Sequence, residues 1–462
     1  MIANATSHIT SVEVLPFATS IGEGALLTGP KVATAYNIPA STGANVKVGI
    51  ISLGGGFSQN DLNKSLANIS LTAPTVTFVP VDGATNNYTG DVNSDDGENM
   101  LDLVCVASMV PQANIVFYKA GGDTSTSYYT NLATAVSVNS VKSFANTLQR
   151  AVDENCDIIT VSWGRGEIYS NVYPNYYCGD YLAGPLSNAS AKGITVFIAA
   201  GDYGSSATLT GNIVTADYPS TNANVIAVGG TNLSVFSGNT IRSNETVYNN
   251  SESIPGSGGS GGISSVVSVP TWQNGLTYRK YFTSNSSYGP NVTLTSGTLS
   301  SGIGRGVPDI AAAMNAYGVW MSWTSNGAGS VYGFSGTSAA APIMAGMFAR
   351  YVSLAGRRPI PNAIHPVLYG NLNAYYDIQT GNNASLLTTG YAASSNWDPV
   401  TGVGVPWGNV VYQMVSSGGT TVKTAANTWS YLANIRVKTA PTTWSNVKAI
   451  WTKTINGWSQ TF

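Results

Sequence analysis

Short apolar runs recur along the first half of the chain: Val46–Leu53 (VKVGIISL), Asn114–Lys119 (NIVFYK), Asp157–Trp163 (DIITVSW) and Ile194–Ala200 (ITVFIAA). Thr75–Val81 and Asn224–Val228 read the same way. Between them lie segments with helical spacing, at Asp61–Ala67, Gly97–Met109, Val141–Glu154 and Tyr181–Lys192. A strand without polar alternation has to be covered on both faces, and helices supply that cover. The pattern therefore predicts an α/β fold, a doubly wound parallel sheet with helices on both faces. Beyond Gly230 the texture changes. Residues 231–330 are rich in Gly, Ser, Asn and Thr, and are expected to be long loops and short strands on the same domain.

The 462 residues suffice for a large core and two or three domains. Only 9% of residues are charged, against about a quarter in an average protein, and the net charge is −2. That gives no electrostatic case for nucleic acid or an anionic membrane surface. A surface so poor in ionisable groups changes little with pH, which suits service in acid. No run approaches the ~20 apolar residues of a membrane span. The N-terminal MIANATSHITSVEV has neither the basic nor the apolar part of a secretory signal. Cys105, Cys156 and Cys178 fit no zinc spacing and are expected as buried thiols, a Cys156–Cys178 bridge being the alternative.

The chemistry centres on Gly333–Pro342, GFSGTSAAAP. A short strand, Ser330–Phe334, runs into Ser335-Gly336-Thr337-Ser338, and an Ala-rich helical pattern follows from Ala339 to Ala355. Ser338 thus stands at a helix N-terminus, where free N–H groups and the helix dipole favour an oxyanion. The plainer reading is an N-cap serine. A nucleophilic serine needs a base. The chain has two histidines, His8 in the arm and His365 in a Pro-bounded stretch, and neither has the surroundings of a catalytic imidazole. Glu98 and Asp102, four apart on one predicted helix, share a face. Asp102 interrupts the apolar run Met100–Val104, where a carboxylate is costly unless it is hydrogen-bonded or shares a proton. The alternative is a pair of solvated helix acids. Asp202 follows the strand Ile194–Ala200 and Gly201 at a position favoured for ligand contacts. Held protonated, it can donate to an oxyanion; otherwise it is turn chemistry.

Together these residues resemble the sedolisins, serine-carboxyl peptidases with a subtilisin-like fold and a Ser-Glu-Asp triad. The resemblance spans roughly residues 28 to 415. Glu98 and Asp102 match the acid pair, Gly201-Asp202 the oxyanion aspartate, and Ser162-Trp163-Gly164 the substrate-binding strand. Gly256–Gly262 and Val269–Gln273 look like the loop beside the specificity pocket, and Arg305–Asp309 precedes Ser335–Ser338 as in the family. The resemblance implies an acid-active endopeptidase acting on a polypeptide substrate. Glu98 would be the base, Asp102 its orienting partner, Ser338 the nucleophile and Asp202 the oxyanion donor. It also implies one Ca²⁺, with side chains from Asp377 and Asp398 and the carbonyl of Ile378. Ser394 and Asn396 stand where the family usually has glycine. A protein that keeps this fold without turnover is the rival expectation.

The last residues repeat. Val422-Lys423-Thr424 returns as Val437-Lys438-Thr439 and as Thr452-Lys453-Thr454, each copy followed by a tryptophan, Trp429, Trp444 and Trp458. This suggests short strands, and resembles Trp and Lys-Thr repeats near the ends of some phage virion proteins. The expected organisation is an arm at 1–28, a peptidase domain at 29–415, a linker at 416–421 and a small β-extension at 422–462. Some 28 residues precede the domain, where the family normally has a large propeptide. With the extra tail, this suggests an extracellular or virion-associated peptidase whose repeat meets an assembly partner.

Overall fold

The computed structural model describes residues 11–14, 26–121, 138–167, 179–206, 214–236, 239–250, 257–284, 291–322, 329–359, 364–384 and 389–416, with short strands between 421 and 460. Its centre is an eight-stranded sheet. The strands are β1 (Lys47–Ser52), β2 (Thr77–Pro80), β3 (Asn114–Lys119), β4 (Ile158–Val161), β5 (Thr195–Ala199), β6 (Ile226–Phe236), β7 (Asn239–Val247) and β8 (Ile310–Ala313). Their order is β7-β6-β5-β4-β1-β3-β2, with β8 paired parallel to β6. Every pairing is parallel except β6–β7. The expected α/β sheet is present, and its chain order reverses at β1: β3 lies on one side, β4 on the other. Such a reversal opens a crevice at the strands' carboxyl ends.

The helices are α1 (Gly29–Ala35), α2 (Gln59–Ala67), α3 (Asp95–Met109), α4 (Val138–Asp153), α5 (Gly179–Ala191) and α6 (Thr337–Ala355). Helix α3 starts two residues earlier than its apolar spacing predicts. Ser94 caps it by accepting from the Asp96 N–H, and Asp95, Asp96 and Glu98 in its first turn complement the helix dipole. Helix α6 is buried along most of its length, packed on α3 and on β4, β5 and β6. Alanines on its near side allow close approach, and Phe348 meets Phe197 at 4.9 Å between ring centres. Pro342 carries no N–H, so the intrahelical bond to the Ser338 carbonyl cannot form.

Two expectations need correction. Residues 231–330 hold longer strands than foreseen: β6 and β7 form an antiparallel pair, and Thr277–Ser284, Asn291–Thr298 and Thr389–Ala392 make a three-stranded sheet. Asn291–Thr298 sits at that sheet's edge with both faces largely open, and its alternation stops at two apolar residues, Val292 and Leu294, both exposed. In the arm, Ser11–Val14 is a strand paired antiparallel with Ser330–Ser335 (β9), Ser11 opposite Ser335. The tail forms three separate hairpins, with Lys423 opposite Trp429, Lys438 opposite Trp444 and Lys453 opposite Trp458. Cys105 and Cys156 are buried free thiols, and Cys156 lies 3.3 Å from the Tyr118 hydroxyl; Cys178 is outside the described residues. Among the described residues, no helix is long and apolar enough to cross a membrane.

The sheet's far edge is pinned by a buried ion pair. Arg305 donates to both oxygens of Asp309 at 2.9 and 3.2 Å and to the carbonyls of Asn222, Val225 and Gly306. Asp309 also takes the Ala227 N–H and the Tyr369 hydroxyl. Burial alone would raise the Asp309 pKa, but the Arg305 charge, aided by His365, pulls it below the usual carboxylate range. Removing one partner leaves a buried charge and several unpaired carbonyls. Arg305→Ala should therefore cost about 3–5 kcal/mol in chemical denaturation. A loss below about 1 kcal/mol would show that the pair does not hold this edge.

Candidate active site

The carboxyl ends of β1, β4 and β5 converge on the start of α6. At that start Gly336, with no side-chain cap bond, is the N-cap, and Thr337 and Ser338 are the first helical residues. Ser338 is therefore not the cap that the plainer reading required. It is fully buried, and its Oγ has no hydrogen-bond partner. Its backbone N–H belongs to the first turn, where donors have no intrahelical acceptor.

Both members of the acid pair lie inside the protein: Glu98 is 0% and Asp102 1% exposed. The expected alternative, solvated helix acids, is excluded. Asp102 Oδ1 accepts from Ser162 Oγ at 2.7 Å, and Oδ2 has no hydrogen-bond partner. Ser162, just past β4, also has its Oγ 3.5 Å from the Ser338 carbonyl oxygen. One hydroxyl thus sits between the acid-bearing helix and the serine-bearing helix. The turn carrying Glu98 meets the strand leading to Ser338 as well. A Cβ on Gly97 would fall 2.9 Å from the Phe334 ring and 2.6 Å from the Val92 carbonyl, so only glycine lets β9 approach α3 this closely. Burial pushes the Asp102 pKa up to about 8, with the Ser162 hydrogen bond pulling it down.

Two residues near Glu98 fix α3 to the loop after β1. Asp96 accepts from the N–H groups of Gly56, Thr89 and Gly90 and from the Thr89 hydroxyl. Asn99 accepts from Ser52 Oγ at 2.7 Å and donates to the carbonyls of Gly54 and Gly56. Lys119 adds hydrogen bonds to Gly55 and Thr85. The sequence reading named none of these, since each looks like ordinary loop or helix polarity until the loop folds back.

Asp202 stands beside α6. Its Oδ1 accepts from the Thr337 N–H at 2.7 Å and from Thr337 Oγ1 at 2.8 Å, while Oδ2 is buried without a hydrogen-bond partner. Thr337 Oγ1 in turn accepts from the Gly201 N–H at 3.1 Å. Burial raises the Asp202 pKa to about 8 against these bonds from Thr337. With both Thr337 bonds entering Oδ1, the proton of the neutral acid falls on Oδ2, next to the residue before Ser338. The Gly-rich run pairs with this loop, through Gly258 N–H to Asp202 O and Ser260 N–H to Gly201 O. Gly201 has φ +106°, and a Cβ there would lie 2.2 Å from Asp217 Oδ2. Asp217 is a third buried carboxyl, absent from the sequence reading. Its pKa is raised well above normal by burial and then by the charges of Asp202 and Glu167. Trp163 and Gly164 continue from Ser162 as buried residues.

His365 is spent elsewhere. Its Nε2 lies 2.7 Å from the Val225 carbonyl, and its ring stacks on Trp272 at 4.7 Å. His8 is outside the described residues.

Of the residues named for calcium, Asp377 and Asp398 both accept from the backbone of the 394–396 turn. Asp377 Oδ2 accepts from the Asn396 N–H at 2.9 Å, and Asp377 Oδ1 is buried without a hydrogen-bond partner. Asp398 accepts from the N–H groups of Ser394, Val400 and Thr401. Asn396, where a glycine was expected, has φ +67°, a conformation asparagine tolerates. Two carboxyl groups from separate segments, held by one turn and one of them with an orphaned oxygen, fit a hard cation completed by carbonyls. Among the described residues, no cluster of three or more His, Cys, Asp or Glu side chains could hold a metal.

The raised carboxyls set the sign of the pH dependence. For Asp102 and Asp202 the folded pKa exceeds the unfolded one. Their contribution to stability is complete below the ordinary carboxylate range and is lost as pH rises through about 8. The melting temperature should fall by about 10 °C or more between pH 4 and pH 8. Asp202→Asn should flatten that slope. A protein more stable at pH 8 than at pH 4 would contradict the burial reading.

The sequence profile of the subtilase family matches residues 83–362. Kumamolisin of Bacillus sp. (strain MN-32) is 33% identical over 384 residues, covering 82% of this chain and 61% of kumamolisin. Sedolisin of Pseudomonas sp. (strain 101) is 28% identical over 389 residues, 80% of this chain and 57% of that protein. The chain thus spans about three-fifths of the length of these curated relatives. The solved structure of Pseudomonas sedolisin, a serine-carboxyl proteinase complexed with two molecules of pseudo-iodotyrostatin, matches with a TM-score of 0.64 and 25% identity. That match covers 86% of this chain and all of the sedolisin chain.

Proposed function

The chain belongs to the subtilase family, and we propose that it is an acid-active serine endopeptidase working through Ser338, Glu98 and Asp102, with Asp202 in the oxyanion hole. The observation that carries this is a pair of buried acids on α3, of which Asp102 takes the Ser162 hydroxyl, and that hydroxyl lies 3.5 Å from the carbonyl oxygen of the residue expected to be the nucleophile. Glu98, as carboxylate, takes the proton of Ser338 Oγ while Oγ attacks the peptide carbonyl carbon. The carbonyl oxygen becomes an oxyanion that the Asp202 Oδ2–H and the Ser338 N–H hold. Glu98 returns its proton to the leaving amine as the C–N bond breaks. Water then attacks the acyl-enzyme with Glu98 again as base, and Ser338 regains its proton. Asp102 shares a proton with Glu98 and keeps it oriented, as two neighbouring buried carboxyls do in mild acid. Substrate backbone would pair with Ser162-Trp163-Gly164.

The pH range follows from these roles. At low pH both members of the pair are protonated and no base remains. At high pH the pair loses its shared proton and Asp202 ceases to donate. The resemblance to peptidases named kumamolisin and sedolisin supports the same reaction class. The assignment extends to a bound Ca²⁺ held by the side chains of Asp377 and Asp398 and the carbonyls of Ile378, Ser394 and Asn396. When bound, the ion neutralises two close carboxylates and cross-links their loop. The chain would act outside the cell or on a virion, its three Lys-Trp hairpins forming the attachment end.

Peptide hydrolysis should peak in acid and vanish in Ser338→Ala, while Glu98→Gln should lose about 100- to 10,000-fold in kcat. Hydrolysis that survives Ser338→Ala removes this mechanism. A folded wild type that neither hydrolyses peptides nor reacts with a peptide aldehyde between pH 3 and 7 is instead a silent binding protein. Chelation of Ca²⁺ should lower the melting temperature by several degrees, about 1–3 kcal/mol, and Asp377→Asn should abolish that response.

A further inference from the structure

Ser162 does more than the substrate-strand reading asks of it. Pairing with substrate would use its backbone, yet its side chain is fully buried and reaches into the joint between α3 and α6. A serine hydroxyl has one proton to give. It goes to Asp102 Oδ1 at 2.7 Å, and among the described residues this is the one hydrogen bond that the Asp102 carboxyl makes. The Ser338 carbonyl oxygen lies 3.5 Å away on the other side, where Pro342 removes the usual helical donor. The hydroxyl is therefore bonded to the helix carrying the acid pair and lies against the helix carrying the nucleophile.

We infer that the Ser162 side chain is a positioning residue that orients the Asp102 carboxyl and lowers the pH at which the Glu98–Asp102 pair first loses a proton. The inference rests on the peptidase reading of that pair. A donor on Oδ1 favours the carboxylate form of Asp102. With Oδ1 held and Oδ2 left without a hydrogen-bond partner among the described residues, the contact sets both the orientation of the carboxyl and the pH at which the pair first ionises.

Few other charges can set that titration. On α3 the neighbours are Glu98 and Cys105, and burial holds the Cys105 thiol neutral. The β5 loop brings Asp202. Helix α6 carries Arg350, whose Nε is bonded to the Met109 carbonyl. Tyr317 packs from Tyr317–Met321 and is also held neutral by burial. Lys31 of α1 is bonded to the Leu26 carbonyl, Lys64 of α2 lies over Trp320, and Asp61 of α2 takes Tyr88 and Ser322. Lys47, at the other end of β1, pairs with Glu154.

The test compares kcat and KM against pH for wild type, Ser162→Ala and Ser162→Thr on one peptide substrate. Alanine keeps the backbone that would meet substrate. It should leave KM within about twofold but move the acid limb of kcat about one unit to higher pH, a tenfold loss on that side. Threonine restores the hydroxyl and should bring the limb back. A several-fold rise in KM with an unmoved acid limb overturns the inference and leaves Ser162 as substrate strand only. Should the alanine protein not fold, Ser162→Cys, a weaker donor of similar shape, should give a smaller shift in the same direction; an unmoved limb there also overturns it. A ¹³C carboxyl titration of Asp-labelled protein reads the same contact without turnover. Asp102 should titrate about one unit higher in the alanine variant, and an unchanged titration overturns the positioning role. A wild type that shows this contact by NMR yet hydrolyses nothing would sink the peptidase reading while leaving the contact in place.

Discussion

A carboxyl group in an apolar interior is stable only if it is neutral or well bonded, and that constraint organises this protein. Asp102 lies among Met100, Leu101, Leu103 and Val104, all buried, and takes one hydrogen bond. Asp202 takes two, both from Thr337. Neither has a cation beside it, so each stays protonated far above the range of a free carboxyl. Asp309 makes the contrast. It is equally buried, but Arg305 supplies a full charge, and the group stays ionised. The same side chain is thus an acid in one place and an anion in another, and the partner decides which.

The packing around the site keeps water away from these groups. Helix α6 runs between the sheet and α3, and its alanines let both come close. The loop after β1 is tied to α3 by Asp96 and Asn99, and the loop after β5 to α6 by Thr337. Each tie joins a strand's carboxyl end to a helix's first turn. Glu98, Asp102, Ser338 and Asp202 therefore sit on elements that cannot shift independently. Rigidity of this kind keeps a hydroxyl and a carboxyl within reach without prior reorganisation.

Much of this was legible in the sequence where a local rule applied. Apolar runs without alternation marked the central strands, and their alternation with helices marked the α/β class. Asp102 stood out because a charge interrupted an apolar helix. Strands such as Asn291–Thr298 escaped notice because an edge strand open on both faces needs few apolar residues, and the alternation of Val292 and Leu294 is too short to stand out among Thr, Ser and Gly. Asp217 escaped because Asp-Tyr-Pro reads as a turn until Gly201 folds against it. Asp96, Asn99 and Thr337 looked like cap and loop residues, and their partners lie far along the chain.

The sequence by itself determined which residues are apolar, which segments are helical, and that two acids share one helical face, since each follows from neighbours a few positions apart. Only the tertiary structure decided that those acids are dry, that Ser162 bonds Asp102 beside the Ser338 carbonyl, and that Asp202 offers one oxygen to Thr337 and leaves the other without a partner among the described residues. Protonation depends on what surrounds a group from every side, and those surroundings come from segments 60 to 176 residues apart in the chain.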